Sequence, residues 1–144
     1  MHTSNIEIRQ AHRSDAPGLL KLNDLFNGEG CNSLENIEES LETNTKECVC
    51  VATKGDTLVG FCCGQVLKSM CYPVIYAEIT ELFVIDEFRR QGVGGRLLGF
   101  MESWLREKGV QHFHILTFKD NAPAKALYRS CGYAETSEML LDKG

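Results

Sequence analysis

The chain has 144 residues, 43% of them hydrophobic and 24% charged, and a net charge of −5. This length and composition predict one globular domain over 1–144, with a buried core. No run approaches the ~18 apolar residues of a membrane span, and the N-terminal residues MHTSNIEIRQ lack the pattern of a signal peptide. We therefore expect a cytoplasmic protein with no membrane partner. The acidic balance also argues against a nucleic-acid partner, since phosphate contacts need an excess of Lys and Arg.

In the first half of the chain, alternation over Ile6–Arg9 predicts a strand. Ser14 and the following Pro17 begin a helix whose apolar stripe reaches Phe26, and Ser33 can cap a second helix. Next, 47–53 and 58–67 read as the two strands of a hairpin joined by Lys54-Gly55-Asp56.

In the second half, a long apolar strand is predicted over 74–85 and an amphipathic helix over 92–108. A strand over 112–118 follows, then a helix that Asn121 caps and Gly132 ends. One or two terminal strands are predicted over 133–141. The order β-α-α-β-β-β-α-β-α-β is typical of a mixed α+β sheet with helices packed on its faces.

Seven cysteines could suggest a disulfide framework, but their number is odd and no C-x-x-C pair is present. The pattern favours reduced thiols and no metal, with four of them acting as small hydrophobic residues inside strands: Cys48, Cys50, Cys62 and Cys63. His112 and His114 share one face of a strand, and no third ligand is evident beside them.

A glycine-rich segment, Arg89-Arg90-Gln91-Gly92-Val93-Gly94-Gly95, follows a strand and opens a helix. Free N–H groups and a positive dipole at a helix start suit a phosphate, and glycines let it approach the backbone. The dinucleotide fingerprint needs a third glycine where Leu97 stands, and the Gly-Lys-Ser/Thr ending of the P-loop is absent. Taken alone, the glycines are also compatible with a simple turn before a surface helix.

Two motifs together are more specific. The run from Glu81 to Gly94, with Arg89-x-x-Gly92-x-Gly94, resembles the fourth strand and pyrophosphate loop of the GNAT N-acetyltransferase superfamily. Downstream, Asn121-x-x-Ala124-x-x-Leu127-Tyr128-x-x-x-Gly132-Tyr133 resembles its second cofactor motif, so that the likeness covers roughly 76–134. The resemblance implies an α+β fold with a mixed, mostly antiparallel sheet, splayed central strands and about four flanking helices.

The resemblance also implies acetyl-CoA as co-substrate and no metal. The backbone N–H groups of the six residues that follow Arg89 would bind the pyrophosphate: Arg90, Gln91, Gly92, Val93, Gly94 and Gly95. The main chain of Leu82, Phe83 and Val84 would pair with the pantetheine arm like an added strand. An N–H near Phe83 would hold the thioester oxygen, and Asn121 would touch the arm.

Acetyl transfer needs a neutral amine, and an alkylamine with a pKa of ~10.4 arrives protonated. Glu81 and Glu78 interrupt an apolar strand and are the candidate bases, unless they only occupy its exposed face. They are three residues apart and would point to opposite faces unless a bulge resets the count. The resemblance assigns Tyr128 to protonation of the leaving thiolate, although it could be a core tyrosine.

The resemblance further implies direct attack by the amine in a ternary complex. A cluster of glutamates on the second helix and the loop before it could steer a cation such as an aminoglycoside, polyamine or basic peptide, or be a solvated face: Glu29, Glu35, Glu38, Glu39 and Glu42. A protein or peptide N-acetyltransferase and a non-catalytic acyl-CoA-binding module are the alternatives. Family members often dimerise through terminal strands, so a homodimer is a further expectation.

Overall fold

A computed structural model of the chain describes residues 5–144. Residues 1–4, which entered the expectation about a signal peptide, lie outside the described residues. Nine helices and strands follow in order within that range: β1 (Ile6–Gln10), α1 (Ala16–Asn27), α2 (Leu34–Thr43), β2 (Glu47–Lys54), β3 (Thr57–Leu67), β4 (Tyr76–Val84), α3 (Val93–Glu107), β5 (His112–Ile115) and α4 (Ala122–Ser130). Among residues 5–144, no helix has the length and apolar character needed to cross a membrane.

The helix starts follow the local signals of the sequence. Pro17 occupies the first turn of α1, where its missing N–H costs no hydrogen bond. Ser33 Oγ accepts a hydrogen bond from the Asn36 N–H at 3.1 Å. Asn121 Oδ1 caps α4 through the Ala124 N–H at 3.3 Å. Each cap satisfies an N–H group that the helix itself leaves without an acceptor.

The five strands form one sheet in the order β1-β2-β3-β4-β5. The first three neighbouring pairs are antiparallel, and β5 runs parallel to β4. The predicted mixed, mostly antiparallel sheet with four helices is thereby confirmed. Pairing with β5 covers only Tyr76–Ile79 of β4, so β4 continues to Val84 with no strand on that side. This gap is the predicted separation of the two central strands.

The core lies on both faces of the sheet. On one face, α3 buries Leu97, Leu98, Met101 and Leu105 completely. On the other, Leu19 and Leu22 of α1 pack with side chains of β2, β3 and β4, namely Val51, Phe61 and Phe83. Cys48, Cys50, Cys62 and Cys63 are buried as predicted, and all seven thiols are free. Two packed faces hold β4 rigidly between the helices.

The terminal strands predicted over 133–141 are wrong, and the strand predicted over 112–118 ends at Ile115. Met139, Leu140 and Leu141 are 79%, 72% and 85% exposed. An alternating pattern supplies side chains for a strand, but a strand also needs a neighbouring backbone to pair with. The segment is instead held at its start, where Tyr133 Oη donates to Glu102 of α3 at 2.6 Å.

Candidate active site

The glycine-rich loop has the backbone geometry of an anion cradle. Arg90 and Gly92 both adopt left-handed conformations, with φ of 63° and 82°. The carbonyl of Gly92 accepts the N–H of Arg96 at 3.0 Å, which closes the first turn of α3. The N–H groups of residues 93–95 therefore have no acceptor within the helix and lie at its positive end. Such alternating conformations let successive N–H groups converge on one anion.

Arg89 fastens this loop to the end of β4. Its Nε donates to the Val84 carbonyl at 2.7 Å, and its Nη1 lies 2.6 Å from Asp86. The guanidinium also lies over the Phe83 ring, 5.5 Å from the ring centroid. The loop and the unpaired end of β4 consequently form one unit.

A cleft of about 670 Å³ opens between the end of β4, the loop and α4. Every predicted cofactor residue except one lines it: Leu82, Phe83, Val84, Arg89, Arg90, Gly92, Val93, Gly94, Gly95, Asn121 and Tyr128. The exception is Gln91, whose Nε2 donates to the Glu87 carbonyl at 3.1 Å. Two motifs some thirty residues apart in the chain thus face one cavity. The cleft can hold an extended ligand that ends in a diphosphate.

A larger neighbouring cavity of about 870 Å³ shares Phe83 and Arg89 with this cleft. It contains none of the glycines of the loop, and four carboxylates line it: Asp15, Asp56, Asp86 and Glu87. Carboxylates repel a phosphate, so the glycine-lined cleft is the better diphosphate site.

Tyr128 projects from α4 into the glycine-lined cleft. Its ring packs edge-on against Tyr133, with 6.3 Å between the ring centroids. Burial raises the pKa of the Tyr128 phenol, because an apolar environment disfavours the charged form. The hydroxyl therefore remains protonated at neutral pH and can donate a proton or a hydrogen bond.

A bulge in β4 puts the two candidate bases on one face. Glu81 pairs with Cys63 and Glu78 with Gln65, while Thr80 is the extra residue. Since residues 63 and 65 are two apart on β3, both carboxylates point to the α1 side of the sheet. Thr80 Oγ1 donates to Glu81 at 2.7 Å.

The two carboxylates nevertheless lie in different cavities. Glu81 lines a pocket of about 210 Å³ between the sheet and helices α1 and α2. Glu78 pairs with His114 of β5 and lines an open cavity of about 650 Å³ at the other end of the sheet. Only Glu81 is adjacent in the chain to Leu82, which lines the glycine-lined cleft. Of the two carboxylates, Glu81 therefore lies closer in the chain to the glycine-lined cleft.

The sequence signature of the acetyltransferase (GNAT) family matches residues 8–133. The chain belongs to the GNAT family. It is 29% identical over 128 residues to an uncharacterized N-acetyltransferase of Chlorobaculum tepidum, covering 89% of this chain and 75% of the relative. The predicted family and acyltransferase class are confirmed.

Solved structures share the GNAT fold. An aminoglycoside acetyltransferase from an uncultured soil metagenomic sample, in complex with sisomicin, superposes with a TM-score of 0.88 at 21% identity, covering 100% of this chain and 99% of that one. An aminoglycoside N-acetyltransferase in complex with CoA gives a TM-score of 0.84 at 19% identity, over 96% of this chain and 94% of that one. At such identities the likeness shows the fold.

Two residues of this GNAT chain are missed by sequence reasoning. Phe26 of α1 stacks on Phe83 at 5.0 Å between ring centroids and lies 6.1 Å from Phe61. Phe26 lines the glycine-lined cleft, and its neighbour Phe61 lines the 210 Å³ pocket. Phe26 therefore lies between the two cavities. Glu47, at the start of β2, lines that pocket together with Glu81. The one signal for Glu47 is a carboxylate at the edge of an apolar strand.

The acidic face of α2 is partly neutralised. Arg13 lies 2.7 Å from Glu42 and 3.6 Å from Glu38. The attraction of this helix for a distant cation is correspondingly reduced.

Proposed function

We propose that this GNAT chain transfers the acetyl group of acetyl-CoA to the primary amine of a small cationic acceptor, an aminoglycoside or a polyamine. One observation carries the proposal: successive residues of β4, Glu81 and Leu82, line an acid-bearing pocket and a glycine-lined cleft. A donor in the cleft and an amine in the pocket would then meet at the same segment of β4. Direct attack in a ternary complex needs such a meeting point.

The cleft would hold the donor through its backbone. The N–H groups of residues 93–95 face the diphosphate, and the unpaired side of β4 from Leu82 to Val84 offers main-chain groups to the amides of the pantetheine arm. A main-chain N–H near Phe83 can donate to the thioester oxygen as negative charge develops there. Asn121 uses Oδ1 for its cap, which leaves its NH₂ group for the arm.

The acidic pocket would supply the proton acceptor. Glu81 takes a proton from the bound ammonium, directly or through one water, and the neutral nitrogen forms its bond to the acetyl carbon. The carbon–sulfur bond then breaks, and the nitrogen loses its second proton to solvent, which leaves a neutral amide. Tyr128 gives its proton to the departing thiolate and recovers one from solvent, and Glu81 releases the proton that it took. The thiol has a pKa near ~8.5, so it already leaves readily. Every group that takes part in these reaction steps is a side chain, a backbone N–H or a substrate, and no step requires a metal ion.

The size of the pocket supports a small acceptor over a peptide. Its volume of about 210 Å³ suits one ring or a short alkyl chain, and residues of α1 and α2 form part of its wall. The two structural relatives described above are aminoglycoside acetyltransferases by name, which supports the same choice.

A thiol-release assay with acetyl-CoA tests the proposal across aminoglycosides, polyamines, amino acids and short peptides. We expect release only when a small polycationic amine is present, with an acetylated product 42 Da heavier than the acceptor. Intersecting initial-rate lines would support a ternary complex. If only peptides are acetylated, the acceptor is a peptide and not a small cationic amine. Acetyl-CoA binding without turnover of any amine would favour an acyl-CoA-binding module.

A further inference from the structure

Two carboxylates and a thiol converge on the floor of the 210 Å³ pocket. The side-chain ligand atoms of Glu47, Cys63 and Glu81 all lie within 4.8 Å of one another. The sheet brings them together, because Cys63 pairs with Glu81 on one side and with Val49 on the other, and Glu47 shares the face of Val49. The thiol of Cys63 is 8% exposed, so the two carboxylates lie over a buried polar group rather than at an open surface.

The charge of this pair is not balanced within the protein. None of the ion pairs formed between residues 5–144 includes Glu47 or Glu81. Burial raises the pKa of Glu47, and the negative charge of Glu81 raises it further. Two like charges held close together in a partly desolvated pocket destabilise the fold unless a cation joins them.

The rest of the pocket combines neutral polar groups with apolar side chains, the latter being Leu19, Ile37, Leu41, Val49 and Phe61. Three side-chain amides, from α1 and the loop before α2, line the pocket together with the hydroxyl of Ser40: Asn23, Asn27 and Asn32. Asn27 donates to Asn23 at 2.7 Å, which orients these amides along one wall. Amides both donate and accept hydrogen bonds, as sugar hydroxyls do. The wall therefore suits a hydroxylated ligand better than a bare alkyl chain.

We propose that Glu47 and Glu81 together bind the ammonium group of the acceptor, and that Glu47 determines specificity for a compact hydroxylated amine such as an amino-sugar ring. The inference rests on the proposed function and deepens it. An ammonium group carries three donors and one positive charge, so it can bridge both carboxylates and remove their repulsion. Glu47 positions the cation, and Glu81 remains the group next to the reacting nitrogen.

Neamine, an aminoglycoside in which an amino-sugar ring is joined to an aminocyclitol ring, is the probe, and Glu47→Gln is the test variant. In the variant, we expect the KM for neamine in the thiol-release assay to be roughly 10- to 100-fold higher than in wild type. The Kd for neamine, measured by calorimetry on CoA-saturated protein, should rise by the same factor, as for loss of a charge-assisted hydrogen bond. Acetyl-CoA affinity should change less than about threefold, because Glu47 lies outside the glycine-lined cleft, and the rise in KM should exceed any fall in kcat. Glu39→Gln is the matched control, because this exposed residue of α2 loses the same charge outside the pocket.

The outcomes separate this inference from the proposed function. If neamine is acetylated and Glu47→Gln behaves like Glu39→Gln, the inference is wrong and the proposed function stands. If no amine is acetylated, the proposed function fails, and calorimetry with neamine still decides the inference by the loss or retention of binding in Glu47→Gln.

A metal ion is the competing occupant of the same three side chains. Metal analysis of the purified protein, before and after EDTA, distinguishes it from an ammonium group. A stoichiometric ion that Glu47→Gln protein fails to retain would overturn the inference. Thermal unfolding of each variant provides the control for folding. If Glu47→Gln has a lower Tm than wild type, the claim that repulsion between Glu47 and Glu81 destabilises the fold is wrong.

Discussion

Tyr128 is either a core side chain or the acid that protonates the leaving thiolate, and only its hydroxyl oxygen distinguishes the two roles. A core tyrosine needs only its ring, which packs against Tyr133, whereas an acid needs the hydroxyl in the cleft. Tyr128→Phe retains the ring, so we expect kcat to fall by up to ~10²-fold with an acetyl-CoA Kd close to that of wild type. Thiol release and calorimetry measure the two quantities. Full turnover in the phenylalanine variant would remove the acid role.

Glu47 gives a prediction about stability as well as binding. Its pKa is raised in the folded protein above the usual value of 4.5, so the folded state binds this proton more tightly than the unfolded state. The free energy of unfolding therefore falls as the pH rises from the usual value through the raised one. Glu47→Gln lacks this titration, and we expect it to be more stable than wild type at pH 7.

Thermal or urea unfolding of Glu47→Gln and wild type at several pH values measures this difference. The advantage of the variant should shrink as the pH falls from the raised pKa towards 4.5, and should change little below 4.5, where both proteins carry a neutral side chain at position 47. A stability difference of the same size at every pH would assign the effect to packing instead of charge.

Among the elements, the start of α3 carries the strongest prediction. An aspartate at position 92 would bring a carboxylate to the positive end of the helix, where the donor's diphosphate is proposed to lie. It would also force a side chain into the left-handed conformation of Gly92, with φ of 82°. We expect Gly92→Asp to weaken acetyl-CoA binding at least ~10²-fold, as measured by calorimetry.

Gly99→Asp is the matched control for that variant. Gly99 lies in the middle of α3, is exposed, and has no heavy atom within 4 Å of the place where a Cβ would stand. The control adds the same charge to the same helix at a distance from the loop, so it should bind acetyl-CoA like wild type. Equal losses in both variants would mean that net charge, and not the loop, governs binding.

The sequence predicts elements well where local chemistry decides them and poorly where pairing decides them. Caps at Ser33 and Asn121 appear as expected, because a cap needs only its own turn. The bulge at Thr80 and the absence of terminal strands over 133–141 depend on neighbouring backbones that local periodicity does not encode. The bulge matters most, since it turns Glu78 and Glu81 to one face of the sheet.

At the scale of the whole molecule, the two halves of the site differ in how far they can be predicted. Apart from Leu25 and Phe26 of α1, the residues of the glycine-lined cleft come from two motifs, each continuous in sequence, so their resemblance to one family suffices to group them. The pair of Glu47 and Glu81 is assembled across three strands and has no motif. Phe26 reaches Phe83 only through the packing of α1 on the sheet. Contacts distant in sequence therefore form the acceptor side, which one sequence alone does not reveal.

The glycine-lined cleft joins α1, β4, α3 and α4, so a ligand that fills it should stabilise the whole molecule. At 100 times its Kd, acetyl-CoA adds about 2.7 kcal/mol to the free energy of unfolding, which for a chain of this size raises the Tm by roughly 8 °C. Differential scanning calorimetry measures the shift. Pantetheine lacks the diphosphate that the loop is proposed to hold, so at equal concentration it should raise the Tm far less. Equal shifts for the two compounds would show that the loop contributes nothing to binding.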